Sequence, residues 1–187
     1  MCGIVGIYLK TKKFEKNLGK MLSGMLNNME SRGPDSAGFA IYNNSNSDEY
    51  KYSLCINDLD FNKFKNNIAK KIKGIKLNKY SDHVIVKTKE IPEKFIKIIN
   101  KEFPDISIVG YGHSIEIFKQ VGNPKDVVKK FNLESFSGTH GIGHTRMATE
   151  SAITTDGSHP YSTGEDECLV HNGSLSNHNN LRRELRK

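Results

Sequence analysis

The chain has 187 residues, of which 36% are hydrophobic, and it carries a formal net charge of +7 at pH 7. This length suits one core, or one domain with a sizeable insertion. A membrane-spanning helix needs about 18 apolar residues in a row, and no run in the chain is that long. The N-terminus lacks the features of a secretory signal. We therefore predict a cytoplasmic protein that does not act on a membrane.

The positive charge is concentrated in a lysine-rich middle stretch, KFKNNIAKKIKGIKLNKY, which contains no arginine. Such a charge run is typical of a solvated face, so we predict no nucleic-acid partner. The three cysteines, Cys2, Cys55 and Cys168, are odd in number and widely spaced, which argues against a disulfide framework. We interpret Cys55 and Cys168 as core residues.

The N-terminal third predicts a strand, a helix and a second strand. CGIVGIYL is a short apolar run, and FAIYNN follows the loop RGPDSAG as another. Between them, apolar residues three and four positions apart predict one buried helical face. These residues are Leu18, Met21, Leu22, Met25, Leu26 and Met29.

The middle of the chain, residues 44–136, differs in character and predicts an inserted, lysine-rich α+β module. Strands are predicted at EYKYSLCIN, HVIVKTK and ISIVGYGHSIEIFKQV, the last being one strand or two. Helices are predicted at FNKFKNNIAKKIKG, PEKFIKIINKEF and NPKDVVKKF. The helices place lysines on their polar faces, and no side chain of the module stands out as a reacting group.

Residues suited to chemistry are concentrated at the two ends of the chain. ECLVHNG predicts a strand that enters an Asn-Gly turn, and SNHNNLRREL predicts a helix capped by Ser176 or Asn177. Asn172 offers a side-chain amide and Gly173 a backbone N–H, which are the donors that an oxyanion requires. Arg146 can hold a carboxylate with two parallel hydrogen bonds.

Cys2 is the candidate nucleophile. A thiol needs a base that removes its proton, and removal of Met1 would give Cys2 a free α-amino group. Such a group has an unperturbed pKa of about 7.7–8.0 and is partly neutral near pH 7. A lone cysteine between apolar residues is more often a packing residue, so the companions of Cys2 decide the interpretation.

Five motifs in order, MCGI, RGPDSAG, GHTRMAT, HP and VHNGSLSNHNNLRREL, resemble the class II glutamine amidotransferase domain of the N-terminal-nucleophile hydrolases. RGPDSAGFAIY, GHSIEIFK and GTHGIGHTRMATESAITT further resemble the free-standing amidotransferase subunits related to archaeal-type glutamate synthase. The resemblance implies an α+β fold, a four-layer αββα sandwich over residues 1–187, with the module of residues 44–136 inserted in it.

The resemblance also implies a reaction. Cys2 would attack the side-chain amide of glutamine and form a γ-glutamyl thioester, with its own amine as the base. Asn172 and Gly173 would hold the oxyanion. The ammonia would pass to a separate synthase subunit resembling that of glutamate synthase, and this chain would need no cofactor.

Four further residues receive roles by the same resemblance. Arg146 would bind the glutamine α-carboxylate in a pocket that Thr149 lines and His159 borders. Arg32 would stabilise the loop around the N-terminus. The family's domain normally continues into an acidic DTE-like stretch that holds the glutamine α-amino group. This sequence ends at Lys187 without it, so we expect the chain to be C-terminally short.

Other interpretations remain open at this point. Arg32 and Asp35 form a loop ion pair as readily as a catalytic contact. His144 and His171 fit structural hydrogen bonds. His140, His144, His159 and His171 lack an acidic or cysteine ligand at metal-binding spacing, and no CxxC pair is present, so we predict no metal site in the chain. The alternative function is a non-catalytic, glutamine-responsive or scaffolding subunit, and a weaker one is a hydrolase of another amide.

Overall fold

The computed structural model describes residues 1–43, 48–148, 152–173 and 176–187. In these ranges the strands are β1 Gly3–Tyr8, β2 Ser36–Tyr42, β3 Tyr50–Cys55, β4 Lys76–Tyr80, β5 His83–Thr88, β6 Ser107–Gly112, β7 Ile115–Val121, β8 His140–Arg146, β9 Tyr161–Gly164 and β10 Glu167–Leu169. The α-helices are α1 Leu18–Asn28, α2 Phe61–Lys71, α3 Pro92–Glu102, α4 Pro124–Lys130 and α5 His178–Leu185.

The first sheet has the strand order β1-β8-β2-β7, and every pair in it is antiparallel. Helices α1 and α4 cover one face of it. The predicted apolar stripe of α1 is confirmed, because Leu18, Leu22 and Leu26 are fully buried against this sheet. Phe39 of β2 stacks on Phe118 of β7 with ring centroids 5.2 Å apart, which fills the same core.

The second sheet has the order β4-β5-β3-β6, again antiparallel. Helices α2 and α3 pack on its outer face, where the Phe95 ring of α3 stacks on Tyr52 of β3 at 3.8 Å. Asp60 caps α2 by accepting hydrogen bonds from the backbone N–H groups of Asn62 and Lys63. Pro92 occupies the first turn of α3, where its missing N–H costs nothing.

The two sheets pack face to face through a third apolar cluster that contains Ala40, Cys55, Val109, Ile115 and Ile117. The layers are therefore helix, sheet, sheet and helix, and the predicted α+β sandwich is confirmed.

The middle segment contributes strands to both sheets of the sandwich. Strands β3–β6 build the second sheet, and β7 is hydrogen-bonded to β2 in the first. The span 44–136 as a separate insertion stays a prediction, and its first four residues lie outside the described ranges.

Polar contacts join the two sheets at β3 and β7. Lys51 and Glu116 form an ion pair at 3.2 Å, with side chains only 3% and 8% exposed, and Lys51 also donates to Asn43 Oδ1. The Ser53 hydroxyl accepts a hydrogen bond of 2.8 Å from the backbone N–H of Ile117. An N–H on the free side of strand β7 is thus satisfied by the facing sheet.

The β9–β10 hairpin is fixed on the turn between β6 and β7 by one carboxylate. Asp166 accepts hydrogen bonds from the backbone N–H groups of His113, Ser114 and Ile115 at 2.8–3.0 Å. Burial acts to raise the pKa of Asp166, but these bonds to its charged form outweigh that effect and lower it. The carboxylate therefore remains ionised and holds the hairpin in place.

The structure differs from the sequence predictions in some elements. Strands β4 and β9 were not expected, and the strand predicted at ECLVHNG covers only Glu167–Leu169. Asn177 precedes α5 as expected for a cap, but its side chain makes no capping hydrogen bond. In the described part of the chain, no helix combines the length and the hydropathy needed to cross a bilayer.

Candidate active site

Cys2 lies at the end of the first sheet, immediately before β1. Because Gly3 pairs with Thr145 of β8, Cys2 faces the segment where β8 ends and Met147 follows Arg146. The Cys2 Sγ is 3.5 Å from the backbone nitrogen of Met147 and 3.8 Å from its carbonyl oxygen. The backbone after β8 therefore fixes the position of the sulfur.

The Cys2 carbonyl oxygen brings together residues from three parts of the chain. It accepts hydrogen bonds from Asn172 Nδ2 at 2.9 Å and from Arg32 Nε at 3.4 Å. An amide group has two N–H bonds, so Asn172 retains a second donor. Asn172 and Gly173 are exposed to solvent beside the N-terminus.

The loop RGPDSAG is attached to the end of β8 on its other side. The Asp35 carboxylate accepts from the N–H of Ala148 at 2.7 Å, and the Asp35 N–H donates to the carbonyl of Arg146 at 3.1 Å. Gly33 is required because a Cβ there would lie 2.5 Å from the Thr145 carbonyl group. Among the described contacts there is no ion pair between Arg32 and Asp35, so the loop is held by these backbone contacts instead.

Arg146 is 8% exposed, and its guanidinium Nη1 donates to the carbonyl of Ala152 at 3.3 Å. Burial of the stem fixes the direction of the planar head, as the grip on a carboxylate requires. Thr149, predicted to line the same pocket, lies outside the described residues.

The imidazole rings of His144 and His159 are in contact near the end of β8, with their planes tilted by 36°. His144 Nε2 is 2.9 Å from the carbonyl oxygen of His171, so this nitrogen carries the proton. The ring of His144 is 4.1 Å from that of His159. Burial lowers the pKa of His144, although the bond to His171 acts in the opposite direction. His144 thus forms a hydrogen bond to the backbone, as predicted for it.

His159 is also held neutral. Burial is the main cause, and the nearby His144 and Arg146 contribute, so that the pKa of His159 falls to about 3. A neutral imidazole adds no positive charge that would compete with Arg146 for an anion. His159 therefore suits a wall of the site better than proton transfer near pH 7.

Lys119 is a residue of this region that the sequence analysis missed. It is 5% exposed, and its ammonium donates to the carbonyl oxygens of Asp156 and Ser158 at 3.1 and 3.0 Å. Since His159 and Pro160 follow Ser158, Lys119 fixes the loop that carries them. The signal in the sequence is one lysine inside the apolar strand motif IEIFKQV.

Met1 is joined by a peptide bond to the Cys2 nitrogen, which is the atom proposed to act as the base. Its ammonium donates to the Met147 sulfur at 2.9 Å, and the side chain of Met1 is 77% exposed. Removal of this residue would leave the Cys2 amine adjacent to its own thiol. The arrangement then provides a nucleophile, a base and amide donors within one small region.

No protein-family model matches the chain. The glutamine amidotransferase-like protein GlxB of Rhizobium meliloti (strain 1021) is 49% identical over 188 residues, which are 99% of this chain and 62% of that protein. Over nearly its whole length the chain is thus similar to a protein named glutamine amidotransferase-like, and it spans less than two thirds of that protein.

Relatives with another printed name match only part of the chain. The glutamine–fructose-6-phosphate aminotransferase (isomerizing) of Methanococcus maripaludis is 36% identical over 102 residues, covering 50% of this chain and 17% of the enzyme. The enzyme of the same name from Bradyrhizobium diazoefficiens is 41% identical over 76 residues, covering 41% and 12%.

Proposed function

We propose that the protein hydrolyses the side-chain amide of glutamine, with Cys2 as the nucleophile. The observation that supports this most directly is the convergence on Cys2 of Asn172, Arg32 and the backbone of Met147. The 49% identity to a glutamine amidotransferase-like protein supports the same reaction class.

In the proposed reaction, the Cys2 α-amine of the processed chain takes the thiol proton, and the thiolate attacks the amide carbon of glutamine. The free N–H of Asn172 and the N–H of Gly173 stabilise the oxyanion that forms. The protonated amine then gives its proton to the departing nitrogen, and ammonia leaves. Water attacks the resulting thioester, the amine takes a proton from the water, and glutamate is released with the thiol restored.

Binding of glutamine is assigned to the neighbouring residues. Arg146 holds the α-carboxylate in a bidentate contact, and Thr149 and His159 form walls of that pocket. Arg32 is a positioning residue, because it contacts the Cys2 carbonyl and not the sulfur. The acceptor of ammonia is a separate synthase subunit resembling that of glutamate synthase, and the compartment is the cytoplasm.

The experiment is an intact-mass measurement before and after exposure to a diazo-ketone analogue of glutamine, combined with a glutaminase assay. We expect loss of Met1, one adduct mapped to Cys2, and release of glutamate and ammonia by untreated protein. Cys168→Ala serves as the matched control and should still form one adduct. An active protein that retains Met1 would contradict the proposed base. A processed protein without activity or adduct, alone and with its synthase subunit, would favour the scaffolding function.

A further inference from the structure

A second cysteine, remote from Cys2, lies between the two sheets beside a histidine. Cys55 ends β3 and His83 begins β5, and the two are directly opposite in the antiparallel pair. Opposite residues in such a pair place their side chains on the same face. Both are inaccessible, with 1% and 0% exposure, and Asp82 precedes His83 in the chain.

One ligand atom from each of Cys55, Asp82 and His83 lies within 4.8 Å of the others. Asp82 Oδ1 and His83 Nδ1 are 3.1 Å apart. Tetrahedral zinc with bonds of about 2.0–2.3 Å separates its nitrogen, oxygen and sulfur ligands by about 3.3–3.6 Å. Rotation of the Cys55 side chain and shifts of its neighbours, which together shorten a separation of up to 4.8 Å by at most about 1.5 Å, would bring the three atoms to one ion.

We propose that Cys55, Asp82 and His83 bind one zinc ion between the two sheets. A thiolate, an imidazole nitrogen and a carboxylate oxygen are the donors that zinc prefers in proteins. The proposal is independent of the glutaminase reaction.

Other side chains orient the carboxylate for this role. Asp82 Oδ2 accepts from Lys130 Nζ at 2.9 Å and from Gln120 Nε2, so Oδ1 is the oxygen directed to His83. Hydrogen bonds of this kind to a metal ligand fix its geometry. The Cys55 thiol donates to Asn57 Oδ1 at 3.2 Å, and that proton would leave when the ion binds.

The surroundings of the His83 ring are mainly apolar. Its Nε2 is buried and has no hydrogen-bond partner among the described residues. The ring lies against Phe131, with centroids 4.9 Å apart, in surroundings that offer little polar compensation. Nδ1 is the ring nitrogen that faces Asp82 Oδ1, so it is the nitrogen that would coordinate the ion, and the ring proton would then lie on Nε2.

An entry path leads to this cluster from solvent. A cavity of about 530 Å³ reaches Asp82. It is lined by Asn57, Asp58, Ser81, Asp82, Gln120, Lys130 and Thr155. The cavity has room for water, which would complete a site with three protein ligands.

The test uses the full chain after treatment with a chelator, titrated with Co²⁺ and then with Zn²⁺. We expect one cobalt per chain, a thiolate-to-cobalt charge-transfer band in the near ultraviolet, and displacement of the band by Zn²⁺. Cys55→Ser should abolish the band. Asp82→Asn, which is nearly isosteric, should weaken Zn²⁺ binding at least tenfold, and Cys2→Ser and Cys168→Ser should retain both band and affinity.

Absence of a one-equivalent band would overturn the proposal, as would a band that persists in Cys55→Ser or disappears in Cys2→Ser. Circular dichroism checks that each variant is folded. If Cys55→Ser does not fold, Asp82→Asn decides, because unchanged Zn²⁺ affinity in that variant contradicts the site.

Discussion

Cys2 and Cys55 lie in two different environments, the first at the end of the first sheet and the second between the two sheets. Cys2 lies at the end of the first sheet, among loop backbone and amide donors, and is partly open to solvent. Cys55 is enclosed between the sheets, where burial raises the pKa of its thiol although Asn57 acts in the opposite direction. Reactivity toward a substrate requires the first environment and not the second.

The difference extends to the residues around each cysteine. The groups near Cys2 come from strand ends and loops at both ends of the chain, which the first sheet holds together. The second sheet is covered by α2 and α3, whose buried faces are apolar and whose lysines face solvent. By our proposals, the first region carries a reaction at the surface, and the second combines packing with an enclosed ion.

The largest expected effect is that of Cys2→Ala. Glutaminase activity should be abolished because the thioester cannot form, while circular dichroism and the urea midpoint remain those of the parent. Cys168→Ala should retain activity. Activity in Cys2→Ala equal to that of the parent would remove the functional distinction between the two cysteines.

Asn172→Asp tests the donors beside Cys2. This isosteric change removes both N–H bonds, so we expect kcat to fall by about 10²–10³-fold, which corresponds to about 2.7–4 kcal/mol. Steady-state assays of glutamate release measure it. The control is Asn179→Asp on the exposed side of α5, which should change kcat little. A normal kcat in Asn172→Asp would show that other groups stabilise the oxyanion.

Arg146→Lys should have a smaller effect, seen mainly in KM. A lysine supplies a point charge but not two parallel hydrogen bonds, so we expect KM for glutamine to rise by about tenfold with little change in kcat. Arg182→Lys in α5 is the matched exposed control. A fall in kcat with unchanged KM would instead place Arg146 at the reacting atoms.

The smallest effect concerns pH and His159. Its folded pKa of about 3 lies below the ordinary 6.5, so the unfolded chain binds the proton more readily between these values. The contribution of neutral His159 to the free energy of unfolding is therefore fully present above about pH 6.5 and is lost as the pH falls toward 3. We expect His159→Gln to reduce the loss between pH 6.5 and 4.5 by about 1–2 kcal/mol, measured as urea midpoints. If the pH dependence is the same in His159→Gln, the pKa of His159 in the folded protein is not lowered.

Local periodicity was sufficient for much of the fold. The apolar spacing of α1 and the capped or proline-initiated helices α2 and α3 were predictable because their signals lie within a few residues. Strand β4, KLNKY, has lysine and asparagine at exposed edge positions, so its sequence carries no alternation of apolar residues. The membership of β7 in the first sheet depends on pairing with distant β2, which no local pattern encodes.

The candidate site was predictable only where residues share a motif. Asn172, Arg32 and Cys2 were grouped by resemblance to a family, and the structure places them in contact. Their catalytic and binding roles stay predictions. The sequence signals Lys119 only as one lysine inside IEIFKQV, because its partners lie in a distant loop. The cluster of Cys55, Asp82 and His83 was not predictable, because strand pairing brings Cys55 to His83.

The buried ion pair between Lys51 and Glu116 has a consequence for how the two layers align. If one sheet shifted over the other, the two side chains would separate and each would be a buried charge without its partner. The free energy lost in such a misaligned packing exceeds the free energy that the pair contributes to the native one. We expect the double change Lys51→Met and Glu116→Leu to leave the melting temperature similar or higher. The sandwich would then lose a determinant of its unique alignment rather than a source of its stability.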